Sequence, residues 1–451
     1  MNRMKAFCAV IFVAMSLGAG AGNAQVAPAR FVPFHDFLET TKAASFFDHA
    51  ALPETRVEEA AAFEEMRQHI LAMYEGVHVT HSFVLASDHY DCVPTAQQPS
   101  VRLLGLKEIA SPPPPLPEEG SSTNEGLIQS ATQFGVENFF DEFGNSTACE
   151  GDTVSLRRVT LEEMTRFPTL RRFFQKSPNE SVPGDGHDCV DVENILSNHR
   201  YALTCQFVHN LGGNSALNLP PKGEPEVTTE AGEIFSLSQE WYVGGSGPER
   251  QTAEVGWVVW PQKFGDENAR LFIYWTRDGY KTTGCWNTDC KGFVQIPGYN
   301  ALGGAWKLYS VPKGTQYEFQ AQYYIYEGNM WLALNGVWVG YYPKELYNGG
   351  QLTKYATFIE FGSETYSKTI KGTTIWAPQG TGQWSKEGFG KATYQRNLYY
   401  IDSSGIYVWD SLTKDEPFPE CYTITGPSAE TGVWQRYFYE GGPGCLTYSP
   451  P

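Results

Sequence analysis

Beyond about residue 190 the chain stops reading as helix. Glycines punctuate short runs in which apolar and polar residues alternate: EIFSLSQEWYVGG, YEFQAQYYIYEG, MWLALNGVWVGYY, YATFIEFGSETYS and LYYIDSSGIYVWD. A period of two sends successive side chains to opposite faces of a strand, and aromatic residues favour such pleated surfaces. Many short strands separated by turn residues, with no repeat of fixed period, predict a twisted antiparallel sandwich or barrel. The expected class is mainly β: an antiparallel β-sandwich preceded by a smaller α+β segment.

The stretch from Glu254 to Gln295 carries the sharpest pattern, EVGWVVWPQKFGDENARLFIYWTRDGYKTTGCWNTDCKGFVQ. It predicts strands over 253–260, 271–276 and 292–296. In the first, Ala253, Val255, Trp257 and Val259 share one face, which leaves Glu254, Gly256 and Val258 on the other. On pattern alone a mid-strand glutamate is a solvated residue on the wet face of a half-buried sheet. The same position also suits a carboxylate on a cleft wall.

The first 24 residues read as a secretory signal peptide: Arg3 and Lys5, an apolar run through Leu17, then GAGAGNA with cleavage after Ala24. No later apolar run is long enough to span a bilayer, so no membrane partner is expected. Cys8 lies within the signal, and the eight cysteines left from nine suit an oxidising, exported setting. The formal charge of −18 becomes −20 once Arg3 and Lys5 leave, which repels phosphate backbones and argues against nucleic acid.

Residues 25–185 form the expected N-terminal segment and 186–451 the β-rich domain. A helix is predicted from Pro53 to Val77, with Ala60, Phe63, Met66, Ile70 and Met73 on one face and early acids (Glu54, Glu58, Glu59). A strand follows over 79–86. SPPPPLPEEGSSTNEG at 111–126 reads as a linker. TVSLRRVTLEEMTRF reads as a strand entering a helix, capped by Thr160 with Glu163 and interrupted at Pro168. The breaker-rich SPNESVPGDGHD at 177–188 marks the boundary.

Elimination narrows the chemistry. All nine histidines fall at or before His209, so residues 210–451 offer no Ser-His or Cys-His nucleophile and no histidine zinc site. Ser310-Val311-Pro312-Lys313 has the Ser-x-x-Lys spacing, but Pro312 breaks the helical turn that motif opens. Cys285 and Cys290 have no second pair or nearby histidine to complete a zinc site. A carboxylate pair remains: one ionised to activate water, one protonated to donate, their pKa values driven apart by burial and mutual repulsion. Such a pair needs no cofactor and works best in acid.

FGD…RLFIYWTRDGYKTTGCWNTDCKGFVQ resembles the signature of the neprosin family, secreted glutamic peptidases that cut after proline. HYDCVPTAQQPS, CEGDTVSLRRVTLEEM, FSLSQEWYV, WLALNGVWVGYYPKELY, IEFGSE, EGFGKATYQRNL and YFYEGGPGC are similar to successive family motifs in the same order, over roughly residues 85–445. The resemblance implies an N-terminal segment that inhibits or chaperones and a β-sandwich whose cleft holds two glutamates. The family's Glu-x-Gly-Trp falls on Glu254-Val255-Gly256-Trp257, and its Gly-Gly-Glu on Gly362-Ser363-Glu364, where a serine replaces one glycine. Together with proximity in sequence, the family's pattern pairs Cys92 with Cys149, Cys189 with Cys205, Cys285 with Cys290 and Cys421 with Cys445.

Glu360 lies on the same strand face as Glu364, about 13 Å away along the strand, so only one of them should meet Glu254 closely. Glu240 is a weaker alternative to Glu254. Tyr274, Tyr366 and Trp257 are candidate flat walls for a proline ring, Trp257 being better placed for the core. Gln239 and Gln295 are candidate amide donors to an oxyanion. The expected substrates are proline-containing proteins or peptides, with the N-terminal segment as a possible inhibitor in cis. The alternative is a carbohydrate-active or carbohydrate-binding sandwich, because 12 Trp and 25 Tyr supply stacking platforms and two carboxylates also serve glycoside hydrolysis.

Overall fold

The computed structural model describes residues 30–115, 126–133, 140–176, 189, 198–227, 234–298, 301–370, 373–409 and 411–448. The signal peptide, most of the 111–126 linker and the 177–188 boundary lie outside the described residues.

Two antiparallel sheets face each other. The front sheet is built on β1 (His199–Asn210), β2 (Phe235–Gly244), β3 (Gln251–Val259), β4 (Arg270–Thr276) and β5 (Ala356–Tyr366). Its order runs Cys285–Trp286, β4, β3, β2, β5, β1, Thr413–Asp415. The back sheet is carried by Gly212–Asn218, Gln316–Tyr326, Asn329–Leu334, Val337–Tyr342, Thr393–Ile401, Thr423–Ala429 and Arg436–Gly441, with short strands at its margins. The alternation read from sequence sets what lies between the sheets: Ala253, Val255, Trp257 and Val259 from β3 pack with Ile359 and Phe361 from β5 and with Leu217, Phe319 and Tyr323 from the back.

The other face of the front sheet is dry as well. The N-terminal segment lays a helix, Ala60–Met73, and two short helices, Leu161–Thr165 and Leu170–Phe174, over Leu237, Trp241, Val258, Phe272, Tyr274 and Trp286. Glu254, expected to be solvated if only one sheet face were covered, is therefore 0% exposed. A three-stranded sheet (His81–Leu85, Asp88–Pro94, Thr153–Arg157) joins this cover. Its Asp88 pairs with both Arg157 and Arg270 of β4, at 3.0 and 2.5 Å. Ile128–Ser130 adds a parallel strand to Gln316–Tyr326 of the back sheet. Residues from Phe31 onward thus form a single compact unit.

Local differences from the sequence reading have local causes. The helix predicted from Pro53 begins at Ala60, after two earlier helices at Phe34–Ala43 and Phe46–Ala50, because the backbone N–H groups of Arg56 and Val57 bond to the carbonyl of Thr165 instead of turning inward. The predicted 79–86 strand is one arm of a hairpin, His81–Leu85 with Asp88–Pro94. Thr160 caps its helix by accepting from the Glu163 N–H, whereas the Glu163 carboxylate turns to Arg157. The four disulfides are Cys92–Cys149, Cys189–Cys205, Cys285–Cys290 and Cys421–Cys445. Ser310 and Lys313 lie outside any helix, with Lys313 at φ 58° in a turn.

A polar pocket between the sheets makes stability pH-dependent. Glu440 accepts from Ser238 Oγ at 2.6 Å. Burial pushes its carboxyl up to about 7, against hydrogen bonds from Ser238, Ser363 and Gln395 that favour the ionised form. A carboxyl whose folded pKa is raised binds its proton longer in the folded state. Stability therefore falls as pH rises from the unfolded value through about 7, by roughly 3 kcal/mol. Glu440→Gln should melt about 3 °C higher than wild type at pH 8 and at the same temperature at pH 4, measured by calorimetry. Equal melting at both pH values would contradict it.

Candidate active site

Register decides what meets on the covered face. Gly256 of β3, Gln239 of β2 and Gly362 of β5 lie in one row across the sheet. The two glycines leave a hollow on either side of Gln239. At Gly256 a Cβ would lie 1.9 Å from the Ser238 carbonyl, and Gly362 holds φ +156°, so neither position accepts a side chain. Glu254 sits two residues along β3 from this row and Glu364 two residues along β5, diagonally across the hollow.

One cation joins them. Lys176, two residues past the Leu170–Phe174 helix, reaches into the hollow with its Nζ 2.6 Å from Glu254 Oε2 and 3.0 Å from Glu364 Oε2. It also donates to Gln239 Oε1 at 3.0 Å. Its side chain is 2% exposed, and the rings of Trp241, Phe272, Tyr274 and Trp286 stand 5.6–6.0 Å from the ammonium. The approach is anchored on both sides of the helix: Phe173 lies over Lys263 Nζ at 3.5 Å, and Arg171 donates to the Tyr280 carbonyl at 3.1 Å. Burying a ring such as Phe173 stabilises the cover by about 1.5–3 kcal/mol.

The two carboxylates differ in their donors. Glu254 Oε1 accepts from two hydroxyls, Thr252 Oγ1 at 2.9 Å and Tyr280 Oη at 2.8 Å. Glu364 accepts from nitrogen: His199 Nδ1 on Oε1 at 2.6 Å, and Gln239 Nε2 on Oε2 at 3.1 Å. Burial by itself would raise the Glu364 pKa. The Lys176 charge and the His199 hydrogen bond outweigh it and bring it down to about 2. Glu360, on the same face, is driven well above the carboxylate range by burial and then by the charges of Glu364 and Asp415.

The expected site residues divide clearly. Glu254, Glu364, Gln239 and Tyr274 converge on Lys176, and Tyr366 packs at 4.9 Å from the His199 ring. Gln295 is elsewhere: its amide donates to the Ser155 carbonyl at 2.8 Å and its N–H to Gln98, so it fastens the N-terminal sheet to the sandwich. Glu240 faces the inter-sheet core, accepting from Ser215 and Tyr242 at 2.7 Å. Trp257 is also core, with Nε1 donating to the Asn218 carbonyl at 3.0 Å. Ser363, which stands where the family pattern has glycine, points to the Glu440 pocket.

Four residues at the site were not anticipated: Lys176, His199, Thr252 and Tyr280. His199 had a readable signal, because His199, Tyr201, Leu203 and Cys205 alternate into one face of β1. It lies just before the histidine-free residues 210–451, yet belongs to the same sheet as Glu254 and Glu364. Lys176 had none, being a single lysine beside a breaker-rich stretch.

Among solved structures, scytalido-glutamic peptidase with a transition state analog inhibitor overlaps 54% of this chain and 97% of its own, at 12% identity and a TM-score of 0.31. CG-16, a homodimeric agglutinin from chicken liver, overlaps 38% of this chain and 96% of its own, at 10% identity and a TM-score of 0.19. Both overlaps are too loose to bear on the site. The family model Neprosin matches residues 232–443, a span that includes Gln239, Glu254, Tyr280 and Glu364 and leaves Lys176 and His199 outside. Over residues 232–443, just under half of the chain, the sequence is thus similar to the Neprosin family.

Proposed function

We propose that this protein is an exported glutamic-type endopeptidase that hydrolyses peptide bonds without a metal, in acid and on the carboxyl side of proline, using Glu254 and Glu364. The observation that carries the reading is the single ammonium held between two buried carboxylates from strands that are not neighbours. An ammonium resembles a water molecule in size and donates to both oxygens, so Lys176 Nζ stands where an attacking water would be shared by base and acid. One carboxylate takes a proton from that water as it attacks the carbonyl, and the other protonates the leaving nitrogen. Gln239, beside the hollow, supplies an amide donor for the oxyanion. The rings around Lys176 offer flat faces to a pyrrolidine.

In this reading the N-terminal segment is an inhibitor in cis, and Lys176 is its contact with the chemistry. Pro178 and Pro183 follow Lys176 closely, where a post-proline cut would free the segment; both lie outside the described residues. Export is supported by the four disulfides.

The test is hydrolysis of quenched peptides, with and without proline, between pH 2 and 8, after acid incubation and in the presence of chelator. Product masses locate the cut, and a polysaccharide panel runs alongside. Chelator-resistant cleavage after proline in acid is expected, together with loss of the N-terminal segment from the intact mass. Sugar release without peptide cleavage, or no turnover at any pH, would overturn the reading.

A further inference from the structure

We infer that His199 is a positioning residue that keeps Glu364 ionised and oriented as the general base, leaving Glu254 as the general acid. This rests on the peptidase reading above and extends it to the division of labour within the pair.

The argument starts from which donors can reverse. The hydroxyls of Thr252 and Tyr280 on Glu254 can rotate and accept, so they suit that carboxyl with or without its proton. A histidine that carries a proton on Nδ1 can only donate through that nitrogen, whether the ring is neutral or charged. His199 Nδ1, 2.6 Å from Glu364 Oε1, then matches an ionised Glu364 and opposes a protonated one. A carboxylate that must start the reaction by accepting a proton is served by this donor, and a carboxyl that must give one is not.

The ring is fixed where it stands. His199 pairs across the sheet with Tyr366, and Glu364 with Tyr201, so His199 reaches Glu364 as a diagonal neighbour on the same face. Its ring lies 4.9 Å from that of Tyr366 and 6.1 Å from those of Tyr201 and Phe235. The side chain is 4% exposed. Lys176 also holds Glu364 ionised, but it belongs to the N-terminal segment. His199 belongs to β1 and stays with β5 when that segment leaves, so the donor of the latent state remains in the working one.

The charged and titratable groups around the ring come from each packed element. Among the described residues they are Glu364 and Tyr366 on β5, with Glu360 further along that face, Tyr201 on β1, and Lys176 and Arg172 from the N-terminal segment. The Arg172 guanidinium lies 5.9 Å over the Tyr366 ring. With Lys176 gone, His199 is, among the described residues, the group in hydrogen-bond contact with Glu364 that can bear positive charge.

The experiment uses the full chain on a Lys176→Ala background, comparing His199→Ala with His199→Asn, whose amide can donate from the Nδ1 position. It reads kcat and KM for a proline-containing quenched peptide across pH 2–8. It also follows the Glu364 carboxyl by carbon-13 NMR titration, assigned by its absence in Glu364→Gln. A charge-assisted donor of this kind holds a carboxylate down by about one to two pH units. His199→Ala should therefore move the acidic limb of kcat/KM and the NMR midpoint upward by about that much. Near the old midpoint kcat should fall about 10- to 100-fold, with KM within about twofold, and His199→Asn should restore most of the loss.

A His199→Ala profile that superimposes on the background overturns the inference. So does His199→Asn behaving like His199→Ala while both unfold at the background temperature. If the background cleaves nothing even after acid incubation has removed the N-terminal segment, the peptidase reading fails by itself. The NMR midpoint still decides the His199 contact: an unchanged midpoint in His199→Ala overturns it.

Discussion

Full-length protein carrying Lys176→Ala should cleave a proline-containing peptide about 100-fold faster than full-length wild type, without loss of the N-terminal segment. In the wild-type chain the Lys176 ammonium is paired with both candidate catalytic carboxylates and shielded by four aromatic rings. Charge-assisted contacts each contribute about 1.5–3 kcal/mol, so removing two lowers occupancy of the site by roughly two to four orders of magnitude. The place of the ammonium between Glu254 and Glu364 is then open to a water molecule, which is the arrangement acid–base hydrolysis requires. The same change should destabilise the folded chain by about 3–5 kcal/mol at neutral pH, where both carboxylates lose a buried partner, and by less in acid, where protonation relieves them. Lys176→Met separates charge from bulk: it keeps an apolar stem in the hollow, and its activity should lie between the other two. Progress curves from freshly purified protein, with intact mass checked at the end of each assay, make the comparison. A Lys176→Ala chain as silent as wild type would show that the segment blocks by its bulk alone.

Glu254→Gln and Glu364→Gln should each lower kcat/KM by about a thousandfold or more, because each removes one half of a proton relay and leaves the shape of the hollow unchanged. The two losses should differ in kind. A substrate with a good leaving group needs little help from the acid, so an activated ester should recover much of its turnover in Glu254→Gln and little in Glu364→Gln. The opposite pattern would exchange the two roles. Glu360→Gln gives the contrast: burial and the neighbouring Glu364 charge already keep Glu360 protonated, so a neutral amide changes little there.

What the sequence revealed, and what it concealed, follows from the distance over which each feature is encoded. Alternation on β3 assigns Glu254 to the face opposite Trp257, and the structure keeps that division. It gives no sign that the second face is also covered, because the cover comes from residues more than 75 positions earlier. Glu364 was separated from Glu360 by family resemblance and not by period, since both lie on one face. Their separation becomes physical through register, with Glu364 diagonal to Glu254 across Gln239. Gln295 looked like Gln239 as a strand amide, yet it bonds to Ser155 in the N-terminal segment. Lys176 is the clearest limit: its importance lies in where the Leu170–Phe174 helix delivers it.

The most direct measurement places three full-length proteins in one peptide assay: Lys176→Ala, Lys176→Ala with Glu254→Gln, and Lys176→Ala with Glu364→Gln. Turnover in the first and its loss in both others is the expected result, with all three folded by thermal unfolding. Turnover that survives Glu364→Gln or Glu254→Gln would contradict the claim that these two carboxylates, closed off by Lys176, form the active site.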